Sequence, residues 1–443
     1  MGYGIKDILH DRAKRLLHVE TDPGLGCTEP AAVGLCAAAA ARLLGTGSFD
    51  SITVETDPNI YKNAMGVIIP HSGGGCGVAL AAAMGATGGD PALKLQVFAD
   101  MGEEALAKAK ELVATGKATA GIAEGTSGLY VKVAIASGPD TAEAVIKDSH
   151  DNIVSLSKNG QETLVRPDCA CGPEGEGALV ELQEWVKGLT FGDMVDLLDD
   201  LDSDDLGYIR KGLELNKALA KFGLDRGPGL GVGRTQLSLI RQGLLRKDAA
   251  LWAGVMVAAG IDARMGGAPL PAMTLAGSGN QGISAGLPMV AAAGFASLED
   301  ENVMLRAVTL SYLVTCAIKA SAGRLSALCG SGVAAGCGAA AGTCFLFGGS
   351  VERIGGAVKN HAENSVALVC DGAKTSCALK VGEMACSAVK TAFMALQGCV
   401  VNASDGFIER SPERVMANVG RLARKGLAGM DPELLDIMLN KSA

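Results

Sequence analysis

The apolar content of this chain is carried by small residues, and that limits it to folds in which backbones pack closely. Hydrophobic residues make up 48% of the sequence, yet aromatic residues only 4%, and glycine occurs 61 times. Thin side chains let helix axes approach, so closely packed helices are the expected core. The long uncharged run from Leu325 to Ser350 has the length of a membrane span. It is built from Gly, Ala, Ser and Cys, with Arg324 and Glu352 close on either side. Hydrophobicity that weak marks a buried helical region rather than a span, so no membrane association is expected.

Charge and cysteine usage narrow the class further. The net charge is −9 with no basic block, and phosphate binding needs a clustered positive face, so nucleic acid is not an expected partner. The first twenty residues are charged from Lys6 onward and lack the apolar stretch of a secretory signal. Thirteen cysteines in such a chain belong in a reducing, cytoplasmic setting, where thiols are buried, catalytic or metal-bound. Eight of them fall from Cys316 onward.

Periodicity divides the chain into an α+β arrangement: a large, mostly helical domain with an inserted α/β module. A helix is expected from Ile5 to His18. After the Gly-rich turn Pro23–Cys27, Thr28 is the expected N-cap of an Ala-rich helix reaching Leu44. Ser51–Thr56 and Leu129–Ile135 alternate like half-buried strands, and Ala142–Lys147 and Ile153–Leu156 flank a hairpin turn at Ser149–Asn152. Helices near Ala79–Met84 and Gly102–Thr115 lie between the strands. The module is read as 48–167, and 1–47 plus 168–443 as the helical domain, with a linker at Asp168–Glu176.

Several groups carry chemistry. Cys370 and Cys377 sit seven apart across a Gly-containing turn, with Cys329 upstream in Leu328-Cys329-Gly330-Ser331-Gly332. Thiolates hold iron–sulfur clusters at dispersed spacings, but free cysteines are also commonly buried as small hydrophobes, and Cys337 and Cys344 share the same spacing. Cys27 is either a small residue buried close to a turn or a thiol at a helix start, where the macrodipole lowers its pKa. Gly277-Ser278-Gly279-Asn280 is either a tight turn or a cradle of backbone N–H groups for a carboxylate. Lys62 pairs with a carboxylate or is a solvated surface group, and the Ser72–Gly77 loop lines a site or merely connects. Gly227–Arg234 lacks the Gly-Lys-Ser/Thr ending of a phosphate loop. His361 and Glu363 fit a surface helix pair better than partners of the cysteines.

Taken in order, Gly26-Cys27-Thr28-Glu29-Pro30, Lys62-Asn63-Ala64-Met65-Gly66, Ala276–Gly282 and the Cys329, Cys370, Cys377 set resemble the L-cysteine desulfidase family, relatives of the α chain of iron–sulfur L-serine dehydratases. The resemblance implies a 4Fe-4S cluster on Cys329, Cys370 and Cys377, with one iron open to substrate. It implies Cys27 as the base for the Cα proton, with Glu29 as the alternative. Thr28, Glu29, Lys62, Asn63, Ser278, Gly279 and Asn280 are the implied substrate contacts. The implied reaction is β-elimination of L-cysteine to pyruvate, ammonia and sulfide without pyridoxal phosphate. L-Serine dehydration and a non-catalytic iron–sulfur or thiol redox sensor are the rival readings. The expected ligand is a small amino acid, with self-association into a homo-oligomer left open.

Overall fold

In a computed structural model of the chain, residues 5–126, 128–165 and 176–441 are described. Cys169, Cys171 and all of the expected linker but Glu176 lie outside them.

Alternation over Ser51–Thr56 buries Ile52, Val54 and Thr56 on one face, as a half-covered strand requires. That strand organises the first part of the chain. Helix α1 (Ile5–Glu20), the short strand β1 (Pro23–Leu25) and α2 (Thr28–Leu44) precede it as β2 (Ser51–Thr56). Then come α3 (Pro58–Ala64), α4 (Val78–Gly88), α5 (Glu103–Ala114) and β3 (Ala118–Ile122). Four strands follow in meander: β4 (Tyr130–Ser137), β5 (Asp140–Lys147), β6 (Ile153–Lys158) and β7 (Gln161–Val165). The sheet order is β3-β2-β4-β5-β6-β7. Only β2 and β3 pair in parallel, which is why three helices intervene between them. The two strands that sequence alternation does not announce, β3 and β7, are the sheet edges, where fewer large side chains are needed.

The rest is helical: α6 (Glu176–Lys187), α7 (Phe191–Asp199), α8 (Ser203–Arg226), α9 (Val232–Arg241) and α10 (Ala249–Met265), then the strand β8 (Pro271–Met273). After it come α11 (Gly279–Ala296), α12 (Glu301–Ala322), α13 (Ala334–Leu346) and α14 (Val351–Ser365). The chain ends in α15 (Cys377–Leu396), α16 (Pro412–Arg421) and α17 (Met430–Leu439). The expected α+β class is what forms, with a large helical portion beside a six-stranded mixed sheet. Of the helices, α12 is long and apolar enough to cross a membrane. Its apolar window is 78% buried, packed against α6, α11, α13 and α16, as in a core helix.

Most buried side chains fall in two cores. One joins α4 and the sheet to α2 from Val33 onward; the other is built by α1 and the helices from α6 onward and includes Cys27. Helix α2 therefore packs on the sheet through its body, while its N-cap belongs to the helical core. Small residues make this possible as expected. A Cβ added at Gly223 of α8 would stand 1.9 Å from the Ala259 carbonyl oxygen of α10, and one at Gly338 of α13 2.3 Å from the Ser311 carbonyl of α12. These helices meet backbone to backbone. The Gly227–Gly233 stretch is filled by the chain itself: Asp262 accepts from the Gly231 and Gly233 N–H groups at 3.1 and 3.0 Å.

Strand β1 pairs antiparallel with β8, and the Ala276 N–H donates to the Glu20 carbonyl at 2.8 Å. This lays the approach to α2 beside the approach to α11.

Two glycines of one helix supply a test of the packing. Gly223→Ala must push α8 off α10 and is expected to destabilise the fold by about 1–3 kcal/mol. Gly207→Ala meets nothing within 4 Å and is expected to stabilise it by about 0.5–1 kcal/mol through helix propensity. Urea unfolding midpoints of the two variants should move in opposite directions.

Candidate active site

Burial of one carboxylate shapes the first turn of α2. Gly26 turns the chain in the left-handed region (φ 69°), and Cys27, in extended conformation, is the N-cap. Thr28 is thus the first helical residue rather than the cap, and its hydroxyl is released for other work. It lies 3.1 Å from Glu29 Oε2 and 3.2 Å from the Gly277 carbonyl oxygen, sharing its proton between them. The Cys27 thiol donates to the same Oε2 at 2.9 Å, and Asn63 Nδ2 donates to Oε1 at 2.9 Å. Asn63 is brought in by α3, whose start Asp57 caps by accepting from the Asn59 and Ile60 N–H groups.

These contacts decide the charges. Burial raises the Glu29 pKa, but nearby His150 and the Cys27 hydrogen bond outweigh it, and the net shift is downward. Glu29 is an ionised carboxylate. Burial, and then the Glu29 charge, push the Cys27 thiol well above 9. The lowering expected from its place at a helix start is overturned, because desolvation and an adjacent anion outweigh a half-charge of helix dipole.

The start of α11 faces the same space. Leu275 and Ser278 exchange hydrogen bonds of 3.0 and 3.1 Å around Ala276 (φ 48°) and Gly277 (φ 81°), the two left-handed residues of a tight turn. Ser278 caps α11 without a side-chain hydrogen bond. A Cβ at Gly279 would lie 2.3 Å from Arg264 Nε, so only glycine lets this guanidinium lie across the helix start. Arg264 Nη1 donates to Asn280 Oδ1 at 3.0 Å.

The three cysteines approach from two further segments. Leu328 and Val369 form an antiparallel bridge, with the Cys329 N–H on the Leu368 carbonyl and the Cys370 N–H on the Ala327 carbonyl. Cys377 is the first residue of α15. Burial, and then the nearness of Cys370 and Cys377, raise the Cys329 thiol to about 12, so the three sulfurs feel one another. Between them Asp371 is gripped by Lys374 and Lys380, and despite burial its pKa falls to about 2.

One cavity of about 100 Å³ collects Cys27, Glu29, Asn63, Ser278, Asn280 and all three cysteines of the trio. Thr28 and Gly279 act behind its wall. Lys62 is the correction. It neither lines the cavity nor faces solvent, because its buried ammonium is taken by Asp431 of α17 at 2.6 Å and by the Cys370 carbonyl at 3.2 Å. The Ser72–Gly77 loop also stays outside the lining. Cys337 and Cys344 are fully buried in α13. His361 is no surface residue either: it is buried with Nε2 2.9 Å from the Gly332 carbonyl, while Glu363 is exposed.

Four ionisable lining residues escaped the sequence reading: His150, Arg264, Lys319 and Arg324. Arg264 had a signal, a lone cation inside an apolar helix, and Lys319 a weaker one, a cation in the apolar second half of α12. His150 sits in the β5–β6 turn and had none. Burial lowers the Lys319 pKa to about 8, against the partial support of Cys370. Among the described residues no three His, Cys, Asp or Glu side chains are arranged for a single metal ion.

Comparison with known proteins gives a consistent result. The family model described as the serine dehydratase alpha chain matches residues 92–436. A UPF0597 protein of Desulfatibacillum aliphaticivorans is 43% identical over 446 residues, covering 100% of this chain and 99% of its own. That of Desulfotalea psychrophila is 44% identical over 429 residues (97% and 98%), and that of Geobacter sulfurreducens 37% over 435 residues (98% and 98%). The segments bearing Cys27, Glu29 and Asn63 precede the family match but are spanned by these relatives.

The buried imidazole behind Cys329 predicts an acid-labile fold. Burial holds the folded His361 pKa at about 4, below its ordinary 6.5. Its stabilising contribution is therefore complete above pH 6.5 and is lost as pH falls toward 4, up to about 3 kcal/mol. The urea midpoint of the wild type should drop over that window more steeply than that of His361→Asn; equal slopes would refute the assignment.

Proposed function

The chain belongs to the serine dehydratase alpha-chain family, and from that premise we propose that it is an iron–sulfur lyase eliminating the β-substituent of a small amino acid. The observation that carries the reading is the meeting, in one small cavity, of the Cys27–Glu29 pair, the Arg264-braced start of α11 and three thiols.

The donor set suits a cluster. Cys329, Cys370 and Cys377 are soft thiols from adjacent segments, with Lys380 close enough to influence Cys329 and Cys377. Burial and the nearness of the neighbouring thiols keep Cys329 and Cys377 protonated, and both effects are ones that iron's positive charge relieves. These three would hold a 4Fe-4S cluster, which when bound supplies a Lewis-acidic iron to take the departing thiolate or hydroxide. The Lys62–Asp431 pair fastens the Cys370 loop that offers one of the ligands.

The chain's own groups do the rest. Substrate carboxylate docks at the free N–H groups of α11, with the Arg264 guanidinium and the Ser278 and Asn280 side chains beside it. Cys27 and Glu29 together hold one proton and one negative charge, and at rest the proton is on sulfur. The pair takes up the Cα proton and becomes neutral, so no second anion forms in the buried site. Thr28 and Asn63 hold the Glu29 carboxylate in place for this. The limited volume keeps bulk water away from the reacting atoms.

L-Cysteine is the proposed substrate, since its sulfur matches the soft iron site. L-Serine is the second reading, supported by the family description.

Anaerobic purification with iron and sulfide analysis, followed by pyruvate and sulfide assays on both amino acids, tests the proposal. Brown, iron-loaded protein releasing equal pyruvate and sulfide from L-cysteine is the expected outcome. Cys370→Ser should lose the iron and Cys344→Ser keep it. Glu29→Gln should keep the iron spectrum while kcat falls roughly 10²–10⁴-fold. Iron-free protein prepared anaerobically would overturn the cluster. Iron-loaded protein yielding pyruvate from neither amino acid would overturn the lyase.

A further inference from the structure

We infer that Asn63 Oδ1 and His150 Nε2 form a cradle for the α-ammonium group of the substrate, so that the site selects free amino acids over 2-hydroxy acids. The inference rests on the reading of the cavity as an amino-acid site and adds which groups recognise the amine.

Both atoms are buried without a hydrogen-bond partner, and both belong to residues that line the cavity. Native proteins rarely leave buried acceptors unmade, so these two, with Gln281 Oε1 as a third on the same cavity's lining, point to donors that arrive with the ligand. The orientation of the Asn63 amide is fixed by its neighbour: Nδ2 is spent on Glu29 Oε1, which aims Oδ1 the other way. His150 enters from the sheet. Its turn is held by the Ser149 hydroxyl on Asp151 and by the Asp151–Lys94 ion pair.

Charge places the ammonium at this end of the cavity. The charge of Glu29 acts on His150 and Glu29 is hydrogen-bonded to Asn63, so the cavity's one carboxylate is near both residues. A cation there is balanced, whereas the α11 end is already occupied by Arg264. Three donors already fill Glu29: Cys27, Thr28 and Asn63. A carboxylate has about four acceptor sites, so what remains serves the Cα proton and the ammonium needs acceptors of its own. Burial, with Arg324 and Arg264 assisting against Glu29, lowers the His150 pKa and favours the neutral ring that an acceptor nitrogen requires.

L-Alanine and L-lactate separate this cradle from the chemistry. Neither has a leaving group, and they differ only in ammonium against hydroxyl, so calorimetric binding to the full-length, anaerobically prepared protein reads recognition without turnover. L-Alanine should bind at least about tenfold more tightly than L-lactate, as sites built on specific hydrogen bonds discriminate. His150→Phe should weaken L-alanine by about the same factor and leave L-lactate unchanged, and His150→Gln should restore part of the preference. L-Alanine and L-lactate binding alike to the wild type, no binding of L-alanine, or an equal loss for both ligands in His150→Phe would overturn the inference. If the variant fails to fold, the wild-type comparison decides alone. Pyruvate formation without amine selectivity would sink the cradle and spare the lyase; amine selectivity without pyruvate would do the reverse.

Discussion

A negative charge taken out of water must be surrounded by donors, and the ionised Glu29 carboxylate imposes that demand on everything near it. Its donors come from three positions: Cys27 and Thr28 on its own helical turn, and Asn63 on α3. Thr28 also reaches the Gly277 carbonyl, which fastens the start of α2 to the turn that opens α11. Satisfying one side chain therefore sets the mutual position of three elements that are far apart in sequence. Removing one of these neutral donors leaves a buried charge under-solvated, at a cost on the order of 1–3 kcal/mol or more. The β1–β8 pairing makes the same connection through the backbone.

The opposite wall is governed by thiols and lysines. The Leu328–Val369 bridge sets Cys329 and Cys370 on neighbouring segments, and the grip of Lys374 and Lys380 on Asp371 shapes the loop leading to Cys377. Helices α2, α11 and α15 all begin at the cavity, so their positive ends and the cations Arg264, Arg324 and Lys319 face a single carboxylate. The space is biased toward anionic occupants, whether a substrate carboxylate or a negatively charged leaving group.

The legible parts of the sequence were those with a repeat or a motif. Alternation announced β2, β4, β5 and β6 because each has one covered face. It missed β3 and β7, whose edge positions relax that pattern. The cysteine trio, Cys27, Glu29, Asn63, Ser278 and Asn280 were each marked out by motifs and do meet at one cavity. Lys62 was marked out as well, yet its ammonium is spent on Asp431, a residue more than three hundred positions away that no local pattern connects to it. His150 was unreadable for the same reason: its meaning comes from how a sheet turn docks against a helical wall. The thiol pKa of Cys27 was misjudged because local helix geometry was weighed without the desolvation that only the folded chain supplies.

The Lys62–Asp431 contact bears on the order in which the protein is made. The ribosome releases Cys329, Cys370 and Cys377 before Asp431, so the nascent chain displays all three thiols while the Cys370 loop is still unlatched. Closure of the latch can only follow the appearance of all three thiols. A metal-delivery step acting on the emerging chain would meet a looser, more open set of thiols than the finished molecule presents.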